Sequence, residues 1–468
     1  MFSLTTGGVA VSFAFFMYRS SVATIGEYMP LFMAQLGYSS TYVGMVPLLG
    51  FVTQVIGIPI AGYLSDKFRI KKQMLLLCVL LSIPTTLLFL APKAPDLTCE
   101  KSSSREITES FGNSSIVHSS IMNASSAEKK FENPLGNSET KNDGDMVKFF
   151  LIILFLRGFF ELVKRLSITL ITVSAVTHIK HDKSKFGLYA FWGEFGAGIS
   201  LFIVGALADH ITHLVCGQEV PGYYVAFFYP AAAQCMTLIS LPWLEYEYLE
   251  KRVVDYDEIK SVLLNPHYIL VLFICAHAGI CTAFQLHWEF WYMRHLGGTP
   301  VVMAVGGLLR RVLVGVWYII SRVIIGKLGE LYVTAISLFL FAASFAGLAF
   351  IENAWLVILL DNFQSLSFVL THASLVIHFS KAGSKASSAF FQGVVNLTFY
   401  GIGKELGSAV IGFCFDEFGT RITFCGYSVV TVAWMAVFTI YIFCAKDVDS
   451  YQEVPREEEF SDDDREIK

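Results

Sequence analysis

The chain has 468 residues, of which 54% are hydrophobic and only 16% are charged. About a quarter of the residues of a soluble domain are charged, so this composition excludes an ordinary soluble protein and indicates that lipid is the main solvent. The net charge of −5 is concentrated in loops and in an acidic tail, and the sequence has no basic patch suited to nucleic acid.

Twelve apolar segments are each about 20 residues long or longer, the length that a helix needs to cross a bilayer. The sequence therefore predicts an all-α membrane protein with about 12 transmembrane helices. The first segment begins almost at Met1 without a cleavage site, so we interpret it as a retained signal anchor. We place the segments near residues 8–35, 42–64, 73–92, 148–177, 187–208, 222–243, 266–292, 301–325, 331–351, 354–379, 387–413 and 422–444.

A short charged sequence joins the second and third segments, and it reads Gly62-Tyr-Leu-Ser-Asp66-Lys67-Phe-Arg69-Ile-Lys71-Lys72. A glycine, an acid four residues later and a basic cluster resemble a cytoplasmic loop of the major facilitator superfamily, although that family usually has a glycine where this chain has Arg69. The resemblance implies two six-helix bundles, with Gly62, Asp66 and Lys67 as a gating motif. Asp66 would then lie at the amino terminus of the eleventh helix, near residues 387–391, and hold one end of the protein closed.

The second half of the chain repeats parts of the first. Residues 32–39 recur as residues 292–299, and at the same offset of about 260 residues Lys67 falls on Lys327 and Arg69 on Gly329. This repeat predicts two pseudo-symmetric halves in the same membrane orientation. The predicted units are an amino-terminal bundle at 1–243, a linker at 244–265, a carboxy-terminal bundle at 266–444 and an acidic tail at 445–468.

A long polar loop, residues 93–146, is found only in the first half. It contains glycosylation sequons at Asn113 and Asn123, which predict a glycoprotein with this loop outside the cell. Only two cysteines, Cys99 and Cys216, fall in loops, and both of those loops lie on the same side. An oxidising environment there permits a disulfide between them.

Basic residues of the short loops lie mostly on one side, about thirteen against two, which predicts that both termini are cytoplasmic. The position of the sequons agrees with this orientation. A tyrosine-based sequence at 451–454 fits a sorting signal. We therefore expect a multi-pass protein of the plasma membrane or the endolysosomal membrane.

Ionisable residues follow a threefold pattern along the twelve segments. Segments 3, 6, 9 and 12 have none in their cores, whereas segments 1, 4, 7 and 10 each have several. Because a charge at mid-bilayer costs about 2.5–3.5 kcal/mol, the pattern predicts lipid-facing helices at one phase and cavity-lining helices at another. The candidate residues of the substrate and proton pathway are Arg19, Arg157, Glu161, Glu194, His277, Asp361, His372, Gln392 and Asn396.

Structural interpretations of some candidates stay open. Arg19 and Glu161 could belong to an ion pair that holds a bundle together, and His277 could be a hydrogen-bonded packing residue. Gln392 and Asn396 could join helices rather than bind a solute.

Four other charged residues are expected to have structural roles rather than to lie on the substrate pathway. Glu27 and Glu289 lie near the outer ends of their segments and are expected at a solvated rim. Arg310 and Arg311 of the eighth segment are expected to neutralise buried acids as internal struts. The acids concerned are Asp361 and Glu405.

Two further stretches, residues 27–37 and 186–196, resemble the facilitator-associated-domain proteins, a group related to lactose permease and the nucleoside–proton symporters. The family motif has an arginine and a serine where this chain has Ala190 and Glu194. The resemblance therefore implies no substrate-binding arginine at this position of the fifth helix.

The sequence predicts a secondary active transporter that moves a small organic solute by alternating access, coupled to protons. Glu161, Glu194 and Asp361 are the candidate proton carriers. Bases outnumber acids on the cavity helices, which favours an anionic or zwitterionic solute. The alternative is a cell-surface receptor or ligand-binding protein that acts through the glycosylated loop between helices 3 and 4.

The sequence shows no nucleophile elbow, metal motif or phosphate loop, so we predict neither an enzyme nor a bound metal or cofactor. The expected partners are the lipid bilayer, a small-molecule substrate and protons, without nucleic acid, and we expect a monomer.

Overall fold

The computed structural model describes residues 6–91, 143–179, 186–215, 218–247, 256–384 and 387–445. Within these ranges the chain is helical apart from turns and one antiparallel hairpin, in which β1 (Thr212–Val215) pairs with β2 (Gln218–Pro221). Several predicted features lie outside the described residues: Cys99, Asn113, Asn123 and Cys216, residues 248–255 of the linker, and the tail from residue 446 onward.

The first six long helices are α1 (Thr6–Gln35), α2 (Ser40–Lys67), α3 (Lys71–Leu88), α4 (Asp143–Ile179), α5 (Phe186–His210) and α6 (Val225–Ser240). A short linker helix, Tyr256–Leu263, precedes the second six. These are α7 (Pro266–His295), α8 (Pro300–Leu328), α9 (Glu330–Leu348), α10 (Ala354–Ser380), α11 (388–418) and α12 (420–445). The bounds agree with the predicted segments to within a few residues.

Length and composition alone mark nine stretches of the described residues as able to cross a membrane, and one of them, Phe390–Cys444, contains both α11 and α12. Those two helices are separated at Gly419, where φ is 76° and the helical backbone is interrupted. The predicted all-α membrane fold is confirmed.

The two halves repeat one packing scheme. In the first half α1 packs against α5 and α6, and α3 packs against α4 and α6. In the second half α7 packs against α11 and α12, and α9 packs against α10 and α12. The halves meet where α2 contacts α11, α5 contacts α8 and α1 contacts α7.

Matching turns also relate the two halves. Gly37 after α1 and Gly297 after α7 have φ values of 87° and 79°. Arg69 after α2 and Gly329 after α8 also have positive φ, at 55° and 84°. The internal repeat seen in the sequence therefore recurs in the backbone, with an arginine in a conformation that favours glycine.

The four helices without core charges expose apolar side chains to the outside of the bundle. Examples are Leu77 of α3, Ile239 of α6, Phe339 of α9 and Phe443 of α12. By contrast, the charged side chains of α1, α4, α7 and α10 described below are turned inward. Charged helices also have exposed apolar side chains, such as Phe155 of α4 and Leu359 of α10, so it is the inward direction of the charges that agrees with the threefold pattern of the sequence.

Candidate functional site

A cavity of about 290 Å³ lies between the two halves. Its wall is formed by α1, α4 and α5 from one half and by α7, α8, α10 and α11 from the other. The wall contains seven basic and two acidic residues. They are Arg19, Arg157, Lys164, Arg165, Arg310, Arg311, Lys404, Glu27 and Glu194.

Arg310 of α8 is the centre of the first charged cluster and is almost completely buried. Its guanidinium forms ion pairs with Glu27 of α1 and Glu289 of α7, and its Nη1 lies 3.9 Å from Asp361 Oδ1 of α10. The same Nη1 donates to the Gln285 carbonyl oxygen at 2.9 Å, and Gln285 Nε2 donates to Asp361 Oδ1 at 2.7 Å. Arg310 thus ties α8 to three other helices.

The next residue extends this cluster to α5. Arg311 pairs with Glu27 Oε1 at 2.7 Å and with Glu194 Oε2 at 3.1 Å. Glu194 also pairs with Arg19 of α1. We call these residues, with Arg310, Glu289 and Asp361, the Arg310 network; it contains four carboxylates and three guanidinium groups.

The second cluster is centred on Glu161 of α4, which is 1% exposed. Three bases of the same helix surround its carboxylate: Arg157 Nη2 at 2.6 Å, Lys164 in direct contact, and Arg165 Nε at 3.9 Å. Spacings of three and four residues place all of them on one face of the helix.

Helix α11 completes this second cluster from the other half. Lys404 Nζ pairs with Glu405 Oε1 at 2.6 Å and lies 3.4 Å from His287 Nε2 of α7. Arg165 Nη2 lies 3.9 Å from Glu405. We call this set, with the α4 residues, the Glu161 network. It contains four bases and two acids, so its bases outnumber its acids, whereas acids outnumber bases in the Arg310 network.

Two of the helices reach the cavity through π-helical turns. The turn Phe284–Trp288 in α7 contains Gln285 and His287, and the turn Leu397–Lys404 in α11 ends at Lys404. A π turn shifts the following side chains around the helix axis, and such turns are frequent at functional sites. Close contact between α7 and α11 requires glycine, because a Cβ on Gly279 would lie 2.2 Å from the Phe399 carbonyl oxygen.

Several of the predicted pathway residues lie at this cavity. Arg19, Arg157 and Glu194 line its wall. Glu161 and Asp361 lie behind the wall and are joined to it through ion pairs with Arg157 and Arg310. The proton candidates are therefore divided between the two networks.

Four other predicted pathway residues are not among the described residues that line the cavity: His277, His372, Gln392 and Asn396. His277 Nε2 is 3.0 Å from Thr431 Oγ1, so it packs between α7 and α12 in the way that its structural interpretation describes. His372 Nε2 lies 3.1 Å from Asn396 Oδ1 and joins α10 to α11, and Gln392 is exposed on α11.

The predicted solvated rim is wrong for both acids. Glu27 and Glu289 are 4% and 1% exposed, and each is bound to Arg310. Both acids lie near the ends of their apolar segments, but their side chains face the interior of the protein. The prediction that Arg310 and Arg311 neutralise Asp361 and Glu405 is wrong for one residue. Arg311 pairs with Glu27 and Glu194 rather than with Glu405.

Sequence reasoning missed His287 and Tyr318, which both line the cavity. His287 is one of few ionisable residues in the apolar seventh segment, which is the signal that could have identified it. Tyr318 gives no such signal, because tyrosine is ordinary in a membrane helix.

The gating motif lies at the end of the bundle that carries the α2–α3 loop, which we call the Asp66 end. Asp66 is largely exposed and pairs with Lys71 Nζ at 2.8 Å, rather than with the start of α11. Lys67 Nζ lies 5.6 Å from the centroid of the Tyr63 ring, and a Cβ on Gly62 would meet no atom within 4 Å. The contacts that Asp66 and Lys67 make are thus within their own half in this conformation.

A carboxylate does cap a helix at the opposite end, which we call the Gly37 end. Asp416 of α11 accepts hydrogen bonds from the Ser40 and Thr41 amides at 3.1 and 2.7 Å, at the start of α2. A Cβ on Gly412 would lie 2.3 Å from the Ser40 carbonyl oxygen, so the two backbones are in close contact. The halves are packed together at this end.

Comparisons with known proteins agree with this architecture. A family profile described as the MFS_1 like family matches residues 9–426. The nucleoside transporter NupG superposes with a TM-score of 0.66 at 13% identity, over 94% of this chain and 99% of that chain. A D-xylose-proton symporter gives a TM-score of 0.60 at 12% identity, over 92% and 96% of the two chains. A bacterial homolog of the human lysosomal transporter Spinster, inward-facing and unoccupied, gives 0.59 at 12% identity, over 95% and 98%.

Proposed function

The chain belongs to the MFS_1 like family and is a membrane transporter rather than an enzyme, and from that premise we propose that it moves a small organic anion together with protons. The observation that carries this proposal is the charge of the cavity. The seven bases of its wall face six carboxylates in the two networks, and the surplus of bases is in the Glu161 network, where four bases face two acids. An anionic solute would neutralise that surplus.

Alternating access is supported by the unequal contacts at the two ends of the bundle. The halves, which we take as residues 1–243 and 266–444, are packed together at the Gly37 end through Asp416 and α2. At the Asp66 end the Asp66 carboxylate pairs with Lys71 of its own half and not with α11. We propose that the Asp66 end and both termini face the cytoplasm, so that this conformation is open inward.

Proton coupling is supported by the Arg310 network. Its four carboxylates face three guanidinium groups, and an uncompensated charge in a buried site is costly. One carboxyl group in the network therefore keeps a proton. Asp361 and Glu289 are the best candidates, because Asp361 Oδ2 and Glu289 Oε1 have no hydrogen-bond partner among the described residues.

Transport with Asp361→Asn tests this assignment. We expect the purified variant, reconstituted in liposomes, to exchange labelled cargo across the membrane but not to accumulate it along an imposed pH gradient. Exchange requires only that the loaded protein reorients, whereas accumulation requires release of the proton. The measurement is uptake of anionic metabolites with a pH-sensitive dye trapped inside the vesicles.

Asp209→Asn serves as the matched control, because Asp209 is an exposed aspartate at the end of α5. This variant should accumulate cargo as the unchanged protein does. Accumulation by Asp361→Asn at the control rate would remove Asp361 from the proton pathway.

The receptor alternative rests on the loop at 93–146, of which residues 93–142 lie outside the described residues. Glycosylation at Asn113 and Asn123 remains part of the proposal. We also propose a monomer in the plasma membrane or the endolysosomal membrane.

A further inference from the structure

We propose that the cargo carries a compact doubly negative group, a phosphate monoester, and that this group binds to the Glu161 network. This inference rests on the proposed transport function and specifies its substrate class. The binding groups are Arg157, Lys164, Arg165, Lys404 and His287, which all line the cavity.

The first argument is charge. Four bases face the two carboxylates of Glu161 and Glu405, so the network with all four bases protonated has two positive charges without a partner. The side chains of these bases are between 4% and 24% exposed, so water screens their mutual repulsion weakly. A dianion would cancel the surplus, whereas a monoanion would cancel half of it.

The second argument is the number of free donors. Arg157 Nε and Nη1 and His287 Nδ1 are buried and have no hydrogen-bond partner among the described residues, and Arg165 Nε has only its 3.9 Å ion pair with Glu161 Oε2. Buried polar atoms are normally hydrogen-bonded, so a set of free donors beside a cavity indicates a ligand rich in acceptors. A phosphate group offers three acceptor oxygens in a small volume.

The third argument distinguishes a phosphate ester from an extended dicarboxylate. The other guanidinium groups of the cavity are already paired, Arg19 with Glu194, and Arg311 with Glu27 and Glu194. The second carboxylate of an extended dicarboxylate would therefore meet only bases that are already paired with acids. Both negative charges of the cargo must lie together on the Glu161 network.

The organic part of the cargo would lie against aromatic side chains. Phe368, Tyr318 and Tyr400 line the same cavity, and the Arg165 guanidinium carbon lies 5.5 Å from the centroid of the Tyr400 ring. Aromatic faces next to the basic cluster suit a planar or apolar group attached to the phosphate.

Phenyl phosphate and phenyl sulfate are suitable probes because they have the same shape and differ in charge. At neutral pH the phosphate ester is mostly doubly charged, whereas the sulfate ester carries one charge. We expect the full-length protein in detergent to bind phenyl phosphate at least about tenfold more tightly, measured from the concentration dependence of its thermal unfolding midpoint.

Arg165→Gln tests the location of the site. Both acid contacts of Arg165 are long, at 3.9 Å, so its removal should disturb the fold least. We expect phenyl phosphate affinity to fall about tenfold or more, and Arg165→Lys to keep only part of it because the charge is retained but the planar set of donors is lost. Arg421→Gln, at an arginine outside the cavity that lies over the Phe350 ring, should leave binding unchanged.

Equal affinity for the phosphate and sulfate esters would overturn the inference, and so would tighter binding of succinate than of phenyl phosphate. Proton-driven uptake of another solute by a protein that fails to bind phenyl phosphate would overturn the inference and leave the transport function standing. Phenyl phosphate binding that depends on Arg165, without transport of any anion, would support the site and contradict the proposed function.

Discussion

Gly329 and Arg69 lie in corresponding turns of the two halves, but only one of these turns has the residue that its backbone favours. At Gly329 φ is 84° and ψ is 156°, a combination that is almost restricted to glycine. At Arg69 φ is 55°, in the left-handed region that other residues can adopt at some cost. The turn between α8 and α9 therefore depends on its glycine more strongly than the turn between α2 and α3 does.

Gly329→Ala should accordingly destabilise the protein by about 1–3 kcal/mol, because alanine must enter a disfavoured backbone conformation. The thermal unfolding midpoint in detergent measures this effect. Gly326→Ala is the control: it lies three residues earlier inside α8, and a Cβ there would meet no atom within 4 Å. That change should be neutral or stabilising by up to about 1 kcal/mol. Equal midpoints for the two variants would contradict the interpretation of the turn.

The burial of Glu27 and Glu289 shows where residue-level prediction from the sequence stops. Hydropathy gives the depth of a residue along a helix, and both acids were placed near the ends of their segments. Whether an acid faces water or an arginine depends on the neighbouring helix. Glu27 and Arg310 are 283 positions apart, and no local pattern relates them. The expectation that arginines of α8 neutralise Asp361 agrees with the 3.9 Å separation of Arg310 Nη1 and Asp361 Oδ1.

At the scale of single helices, α2 begins without a cap of its own. Ser39 is in the capping position but its side chain makes no capping hydrogen bond, and Asp416 of the other half supplies the acceptors. A cap shared between halves stabilises only the conformation in which they are packed together at the Gly37 end. Asp416 is therefore a conformational latch as well as a helix cap.

Asp416→Ala should remove about 0.5–2 kcal/mol from that conformation, the usual value of an amino-terminal cap. The population open at the Gly37 end should then rise by about two- to thirtyfold. Thiol labelling of Val43→Cys with a membrane-impermeant reagent measures this, because Val43 of α2 is buried in the present conformation. Glu417→Ala, one residue further along α11, should not change the labelling rate. The latch is excluded if the two variants label alike.

The positions of the helices could be predicted from hydropathy, but their internal irregularities could not. Segments of about 20 apolar residues locate α1 to α12, because the lipid core fixes their length. The π turns at 284–288 and 397–404 leave no comparable signal, because one extra residue in a turn changes neither the hydropathy nor the apparent length of an apolar segment. His287 and Lys404 reach the cavity through these turns.

For the whole molecule, Asp66 and Asp416 are carboxylates at opposite ends, and only Asp416 caps a helix of the other half. Asp66→Asn should weaken the alternative conformation, in which we expect Asp66 to approach the start of α11. A carboxylate at a helix amino terminus contributes about 0.3–1 kcal/mol, so the present conformation should gain about two- to fivefold in population. The pair with Lys71 contributes little in comparison, because water screens the largely exposed Asp66 carboxylate.

Cysteine accessibility at both ends measures this shift. Labelling of Val43→Cys should fall and labelling of Gln392→Cys, which is exposed on α11, should rise. The effect on Val43→Cys is thus opposite in sign to that of Asp416→Ala. Unchanged accessibility at both ends would contradict the role of Asp66.

The two similar halves and the alternation of charged and uncharged helices could be predicted, because lipid does not tolerate isolated charges. The sequence could not predict which end is closed. A transporter adopts both arrangements with the same residues, and the free energies of the two arrangements differ by only a few kcal/mol.

The surplus of positive charge in the Glu161 network has a consequence for the transport cycle. If the cargo binds there as we propose, the empty network must either bury two unneutralised cations in a closed, water-poor intermediate or first release protons from its lysines. Both alternatives are costly. The return of the empty carrier should therefore be its slowest step. One-for-one swapping of cargo across the membrane should then be faster than net flow in one direction.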